Sequence, residues 1–243
     1  KYPSILSYSL YKNLITNKIW AMSRAKMGYR DMSKHNLMYQ LCGQPFIDTR
    51  LSLNSFLPKK LPSKIATKLI NFGIEELEKN PQFHDKVEFE TSFPSYTFDL
   101  NERMNKKLGE LLSKNEKKIF CDELKSLTLN FMNNKNPSSY NVAMAGINYL
   151  DKIYEGFNKY DITQLPKLMY VCKKYGTFNF SILARHGFVA RSFLNSLISK
   201  SVISSEKIEK FEQSLNTITK NMLIDLNKVQ KNRQSSKNFM RKY

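Results

Sequence analysis

The sequence lacks the long apolar runs of membrane proteins. Its longest stretch without a charged residue, 136–150, is interrupted by Asn, Ser and Tyr, so no segment supplies the roughly 18 apolar residues of a membrane-spanning helix. Cysteine is scarce, and Cys42, Cys121 and Cys172 form neither a CxxC pair nor a disulfide framework. We therefore expect a cytoplasmic protein with no membrane partner.

Glycine and proline are also scarce, with eight of each in 243 residues. Apolar residues instead recur every three or four positions along most of the chain, and this period predicts helices. The predicted helices are 4–25, 63–79, 138–156, 179–200, one from the Ser113/Glu116 capping box through Phe131, one from Asp161 to a stop at Gly176, and one from Ser204 through Leu226.

Two segments, 46–56 and 86–93, alternate polar and apolar residues and predict strands. The expected fold class is α+β, predominantly α-helical with one small antiparallel β-sheet. The polar faces of these strands would present Asp48 and Arg50 from the first and Glu88 and Glu90 from the second. This set of charges is the first candidate site.

Three interpretations of these strand faces remain open. Glu88 and Glu90, together with Asp48, are suited to Mg²⁺, which prefers carboxylates plus water and substrate oxygens. The same carboxylates could receive the ammonium of an amino acid while Arg50 binds its carboxylate. From the pattern alone the favoured interpretation is ordinary ion pairing across a solvent-exposed sheet face, because alternating charges are common on antiparallel sheets.

A second candidate site is the basic cluster of Arg24, Lys26 and Arg30, where a helix is expected to end at Gly28. It suits either a phosphate or carboxylate clamp, or simple capping of a helix C-terminus. His84, just before the second predicted strand, is a candidate general base or a turn residue. The sequence contains no glycine-rich phosphate loop, so ATP binding within this chain is not predicted.

The formal net charge of +18 raises the alternative of a basic nucleic-acid-binding module. The excess lies at the ends, with +8 in residues 1–60, +8 in 181–243 and −1 in 61–125. The aromatic residues fall at helical-core spacing and do not alternate with basic residues along the chain. Nucleic acid is therefore not the expected partner.

Several blocks of the chain are similar to the central region of proteins related to phosphoenolpyruvate synthase and pyruvate phosphate dikinase. The blocks are Ile19-Trp20, Arg24-Ala25-Lys26-Met27-Gly28-Tyr29-Arg30-Asp31, Gly43-Gln44-Pro45-Phe46-Ile47-Asp48-Thr49-Arg50, Asn54-Ser55-Phe56, His84-Asp85-Lys86-Val87-Glu88-Phe89-Glu90, Cys172-Lys173-Lys174-Tyr175-Gly176-Thr177 and Leu183-Ala184-Arg185.

This resemblance implies an acceptor-substrate domain, residues 1–225, of a larger phosphotransferase. Residues 226–243 would then be a basic helix end or linker to a phosphohistidine domain, and ATP would bind to an ATP-grasp domain not present in this chain. With a composition typical of an AT-rich genome, the resemblance further implies L-glutamine as the acceptor. Its amide nitrogen would be phosphorylated, with release of AMP and phosphate, in capsular phosphoramidate synthesis.

The resemblance also implies binding roles for several residues. Arg30 or Arg50 would bind the glutamine α-carboxylate, Asp48 or Glu88 its ammonium group, and Asn54 its side-chain amide.

Catalytic roles follow from the same resemblance. Arg24 would stabilise the transferring phosphoryl group, and Glu90 would hold Mg²⁺ or act as a base. His84 and Arg185 are further candidates. A scaffold domain with no ligand site remains the alternative from another functional class.

Overall fold

The protein is built almost wholly from helices. A computed structural model describes residues 2–132, 139–156, 161–231 and 235–242. It is 71% helical with one two-stranded antiparallel sheet, which confirms the predicted fold class. Within those ranges, no helix combines the length and apolar character needed to cross a membrane.

The regular elements follow one another with short connections. The helices are α1 (Ile5–Tyr11), α2 (Ile19–Lys26), α3 (Thr49–Asn54), α4 (Ser63–Lys79), α5 (Val87–Glu90), α6 (Leu100–Leu108), α7 (Lys114–Met132), α8 (Ser139–Tyr154), α9 (Leu165–Val171), α10 (Phe178–Ser199), α11 (Ser205–Ser214), α12 (Ile218–Gln230) and α13 (Ser236–Lys242). The strands are β1 (Met38–Leu41) and β2 (Gln44–Ile47). Two π-helical turns, Lys12–Thr16 and Cys172–Thr177, and two 3₁₀ turns, Pro81–Phe83 and Ile162–Gln164, complete the set.

Four predicted helices are confirmed as α4, α7, α8 and α10, namely those at 63–79, from the Ser113/Glu116 box, at 138–156 and at 179–200. At the start of α7 the capping box forms in both directions. The Glu116 N–H donates to Ser113 Oγ at 3.2 Å, and the Ser113 N–H donates to Glu116 Oε2 at 2.9 Å. These bonds satisfy two backbone donors that an uncapped helix would leave unpaired.

The predicted strand at 46–56 is wrong over most of its length. The hairpin lies earlier, where Cys42 and Gly43 adopt positive φ angles of 48° and 80° and connect β1 to β2. Two such residues form the tight turn that matches strand twist. Asp48 ends the extended region because its carboxylate accepts a 2.9 Å bond from the Leu51 N–H and starts α3.

The predicted strand at 86–93 is also wrong, because Val87–Glu90 forms the one-turn helix α5. The hydroxyl of Thr91 donates to the Val87 carbonyl at 2.8 Å, and the hydroxyl of Ser92 donates to the Glu88 carbonyl at 2.8 Å. Each hydroxyl bonds to the carbonyl four residues earlier, a spacing that a helical turn provides and an extended strand does not.

Three predicted helix limits differ from the structure. The 4–25 helix is interrupted at Lys18, whose φ is +73°. Gly176 is not a stop, because the π turn carries the chain from α9 directly into α10. The helix predicted from Ser204 through Leu226 breaks before Thr217, whose side chain caps α12 by accepting from the Lys220 N–H at 3.2 Å.

The chain forms two compact units, residues 1–196 and 197–243. The core of the first unit gathers apolar side chains of α4, α6 and α7 around residues such as Tyr29, Phe120 and Leu124, none of which is exposed. The second unit comprises α11 to α13 with the end of α10. The boundary predicted at residue 225 separates the acceptor-substrate domain from a linker to a further domain. It remains a prediction.

Candidate anion-binding site

A left-handed turn follows α2, whose last turn carries Arg24. Gly28 has a φ of +99°, a left-handed conformation that glycine adopts without steric strain, and the preceding helix ends at Lys26. The Arg30 N–H then donates to the Leu57 carbonyl at 3.0 Å. The chain reversal places Arg24 beside Ser55 and Phe56 and pairs the backbone of Tyr29 with that of Pro58.

The centre of the site is a buried ion pair between α10 and α5. Arg185 Nη1 donates to Glu88 Oε1, and the two side chains are only 5% and 12% exposed. The Arg185 guanidinium also lies 5.6 Å from the Tyr29 ring centre and 5.8 Å from that of Phe188. A buried arginine needs such a partner because an unpaired buried charge is costly.

Arg24 joins this pair through a shared aromatic ring. The Phe56 ring centre lies 4.2 Å from the Arg24 guanidinium carbon and 5.1 Å from that of Arg185. Arg24 Nη1 donates to Ser55 Oγ, and its guanidinium lies 5.2 Å from the Trp20 ring centre. Burial and, secondarily, the positive charge of Arg185 lower the pKa of Arg24 to about 9.

Tyr29 closes the inner side of the site and has a zero exposed fraction. Its hydroxyl donates to the Pro94 carbonyl at 2.7 Å. Burial raises the pKa of this phenol above its ordinary value, so the hydroxyl remains a neutral donor. Tyr29 therefore supplies an aromatic wall to Arg185 without compensating its charge.

The charges and donors of this site favour an anion. Two guanidinium groups face a single carboxylate, Glu88, which leaves one positive charge in excess. Among the described residues, buried Arg185 Nε and Trp20 Nε1 have no hydrogen-bond partner. Buried donors are almost always paired in proteins, so each of these two N–H groups has the capacity to donate to an oxygen acceptor.

Two further predicted residues form a neighbouring pair. Arg30 Nη1 donates to Asn54 Oδ1 at 3.3 Å, and Nη2 donates to the Leu61 carbonyl at 2.7 Å. Burial lowers the pKa of Arg30. Asn54 follows Leu53 at the end of α3, immediately before the Ser55 that contacts Arg24.

The remaining predicted residues have separate local partners. Asp48 caps α3, Arg50 donates to Asn71 Oδ1 at 2.9 Å on an exposed surface, and His84 Nδ1 lies 3.2 Å from the Pro81 carbonyl oxygen in an exposed turn. Glu90 Oε2 lies 3.8 Å from Lys107 Nζ. The polar strand faces that the sequence predicted therefore do not exist as a shared surface.

The two glutamates proposed for Mg²⁺ face different cations, Arg185 and Lys107. Within 2–132, 139–156, 161–231 and 235–242, no three His, Cys, Asp or Glu side chains are grouped to hold a metal. Mg²⁺ at Glu88 and Glu90 stays a prediction, and no step below depends on it.

The comparisons with known proteins give no family. No family model, no curated protein and no solved structure matches this chain. The resemblance to the phosphoenolpyruvate synthase group therefore stays a prediction.

Sequence reasoning did not assign a role to Tyr29, Ser55 or Phe56. All three lie within the blocks that resemble the phosphoenolpyruvate synthase group. Their local sequence pattern does not distinguish residues that line a charged site from ordinary core residues. Their roles arise from contacts with Arg24 and Arg185, which the chain brings together from separate segments.

Proposed function

We propose that this chain binds an anionic acceptor at Arg24 and Arg185 and serves as the acceptor domain of an ATP-dependent phosphotransferase. The proposed acceptor is L-glutamine, as in an L-glutamine kinase, and the phosphate would arrive on a histidine of another domain. The observation that supports the proposal most directly is the buried pair of Arg24 and Arg185, beside which the described residues place the single carboxylate of Glu88. The resemblance of the surrounding blocks supplies the reaction class.

The chemistry requires charge neutralisation more than a strong base. In the transfer step the bond from phosphorus to the histidine nitrogen breaks, a bond to the glutamine amide nitrogen forms, and the amide proton ends on the histidine nitrogen. An amide nitrogen is a weak nucleophile because its lone pair is delocalised, so positioning and stabilisation of the phosphoryl oxygens dominate. Two arginines with fixed aromatic supports are suited to that task.

The geometry changes the roles expected from sequence. Arg24 and Arg185 become the carboxylate or phosphoryl ligands, and Glu88 holds Arg185 in place. Arg30 and Asn54 stay candidates for the acceptor amide because they form one pair at the end of α3. Arg50 is reassigned to the protein surface, since its partner is Asn71 and its side chain is exposed.

Calorimetric titration of the chain with L-glutamine tests this proposal. We expect millimolar binding that weakens about tenfold in Arg24→Gln, because a charged hydrogen bond contributes about 1.5–3 kcal/mol. Arg50→Gln is the matched control and should bind as the native chain does. Binding heat with pyruvate but not with L-glutamine would identify pyruvate as the acceptor. The absence of binding heat with both ligands would overturn the acceptor assignment.

A scaffold domain with no ligand site is the second candidate. It is favoured by one observation, namely that Asp48, Arg50, Glu88 and Glu90 each have a different partner. In that case Arg24→Gln in the complete enzyme would leave acceptor phosphorylation unchanged. The acceptor proposal instead expects loss of acceptor phosphorylation with histidine phosphorylation retained.

A further inference from the structure

The face of α2 opposite Arg24 borders a groove that the proposed function does not use. Met22 lies two positions before Arg24, which corresponds to about 200° around the helix, so the two side chains point in opposite directions. Next to Met22 a cavity of about 460 Å³ opens between α2, α8 and the π turn Cys172–Thr177. Its apolar lining is formed by Ile19, Met22, Val142, Tyr170, Tyr175 and Phe178.

A second cavity of about 610 Å³ adjoins the first, because Met22 and Phe178 line both. Its cations are Lys18, Lys26 and Lys34, and its acid is Asp31. The Asp31 carboxylate already accepts from the Ser33 N–H at 2.8 Å. We call the two cavities together the α2 groove, with an apolar lobe and a basic lobe.

Lysines extend from the basic lobe to the rim of the apolar lobe. Lys173 and Lys174 line the apolar lobe, and Lys174 Nζ lies 5.0 Å from the Tyr175 ring centre and 5.5 Å from that of Tyr170. In the described part of the chain, none of Lys18, Lys26, Lys34 and Lys173 pairs with an acidic side chain. Five lysines thus border a largely apolar space.

The wall of the apolar lobe is built from an uncommon backbone feature. The π turn is held to the N-terminal π turn by Thr177 Oγ1, which donates to the Leu14 carbonyl at 2.9 Å. Asn179 Nδ2 donates to the Tyr175 carbonyl at 2.9 Å and fixes the next turn. Single π turns inside helices occur often at functional sites. This turn is also one of the blocks that carry the family resemblance, and none of its residues has a role in the proposed acceptor site.

We propose that the α2 groove binds a nucleotide, with the flat base in the apolar lobe and the phosphates on the lysines of the basic lobe. Aromatic and apolar side chains accept any base by stacking and burial, and lysine clusters attract phosphates. The apolar lobe lies within the ~300–1,000 Å³ range of small-molecule sites. An inorganic anion would leave that lobe unused, and a purely apolar ligand would leave the lysines unused.

The direct test is calorimetric titration of the chain with ADP, with pyrophosphate as the probe that lacks a base. We expect ADP to bind at least about tenfold more tightly than pyrophosphate, and both affinities to fall as salt rises. Met22→Asp should remove the preference for ADP. Equal binding of ADP and pyrophosphate would overturn the base site, and no heat with either would overturn the proposal as a whole.

Charge reversal tests the basic lobe. Lys26→Glu with Lys34→Glu should weaken ADP binding by about tenfold or more, since reversal of two charges replaces attraction of the phosphates with repulsion. The matched control is Lys118→Glu with Lys125→Glu, two exposed lysines of α7. Equal loss in both double variants would mean nonspecific attraction and would overturn the site. Thermal unfolding of each variant shows that it is folded.

Titration with a short single-stranded oligonucleotide distinguishes a free nucleotide from a nucleic-acid strand as the ligand. Tighter binding of the oligonucleotide than of ADP, lost in the Lys26/Lys34 variant, would support the same site with a nucleic-acid strand as its ligand. Arg50→Gln, at an exposed position that lines neither cavity, should leave ADP binding unchanged. Failure of the L-glutamine experiment and failure of the ADP experiment are distinguishable, because the two experiments use different ligands and variants.

Discussion

Arg185 Nη1 donates a hydrogen bond to Glu88 Oε1, joining two residues that are 97 positions apart in the chain. Both side chains are nearly excluded from solvent. The pair links α5 to α10 and holds Arg185 against the aromatic ring that also supports Arg24. The ion pair therefore connects the folding of the first unit to the geometry of the candidate site.

Replacing Arg185 should be strongly destabilising. Arg185→Met leaves the Glu88 carboxylate buried without its cation, which we expect to lower the free energy of unfolding by about 3–5 kcal/mol. Arg50→Met is the control, because Arg50 is exposed and its loss should change stability by less than about 0.5 kcal/mol. Urea denaturation measures both, and similar values for the two variants would contradict the assignment of a buried pair.

Two helical glycines should respond in opposite directions to alanine. A Cβ added at Gly146 would lie 2.0 Å from Asn179 Nδ2, so Gly146→Ala should destabilise the protein by about 1–3 kcal/mol. A Cβ at Gly187 meets nothing within 4 Å, so Gly187→Ala should stabilise α10 by about 0.5–1 kcal/mol. The melting temperature should fall in Gly146→Ala and rise in Gly187→Ala. A higher melting temperature in Gly146→Ala would contradict the close packing of α8 against α10.

His186 should make the protein less stable in mild acid. Burial lowers its pKa below 6.5 in the folded protein, where Nε2 lies 2.9 Å from Ser139 Oγ and the ring contacts Phe131 and Tyr140. As pH falls below about 6.5, the unfolded chain therefore binds a proton before the folded protein does, and the free energy of unfolding decreases.

Urea denaturation between pH 7.5 and 5 measures this effect. His186→Gln should reduce the dependence of stability on pH across that interval. His84→Gln, a replacement at an exposed histidine, serves as the control for loss of a histidine elsewhere. An unchanged pH dependence in His186→Gln would show that other groups determine the acid response.

The capping box of α7 should have a measurable effect on stability. Ser113→Ala removes the acceptor of the Glu116 N–H, and we expect a loss of about 0.5–2 kcal/mol. Ser126→Ala, at an exposed position within the same helix, should remain within about 0.5 kcal/mol of the native chain. Chemical denaturation that ranked these two variants in the reverse order would refute the cap.

Local patterns in the sequence are sufficient to place the helical elements whose cause is local. The Ser113/Glu116 box began α7, the regular apolar spacing at 63–79 produced α4, and Gly28 provided the left-handed turn after α2. These features depend on residues that are close in sequence, so they are predictable from the sequence.

The pairing of the charged residues depends on how distant helices pack against one another. Alternation suggested strands at 46–56 and 86–93, but the Asp48 cap and the Thr91 and Ser92 hydroxyl bonds produce helical turns instead. Glu88 then faces Arg185 from a helix nearly a hundred residues later, while Glu90 faces Lys107. A period of two residues cannot reveal these partners, because buried charges are paired by the packing of whole helices and not by neighbours in sequence.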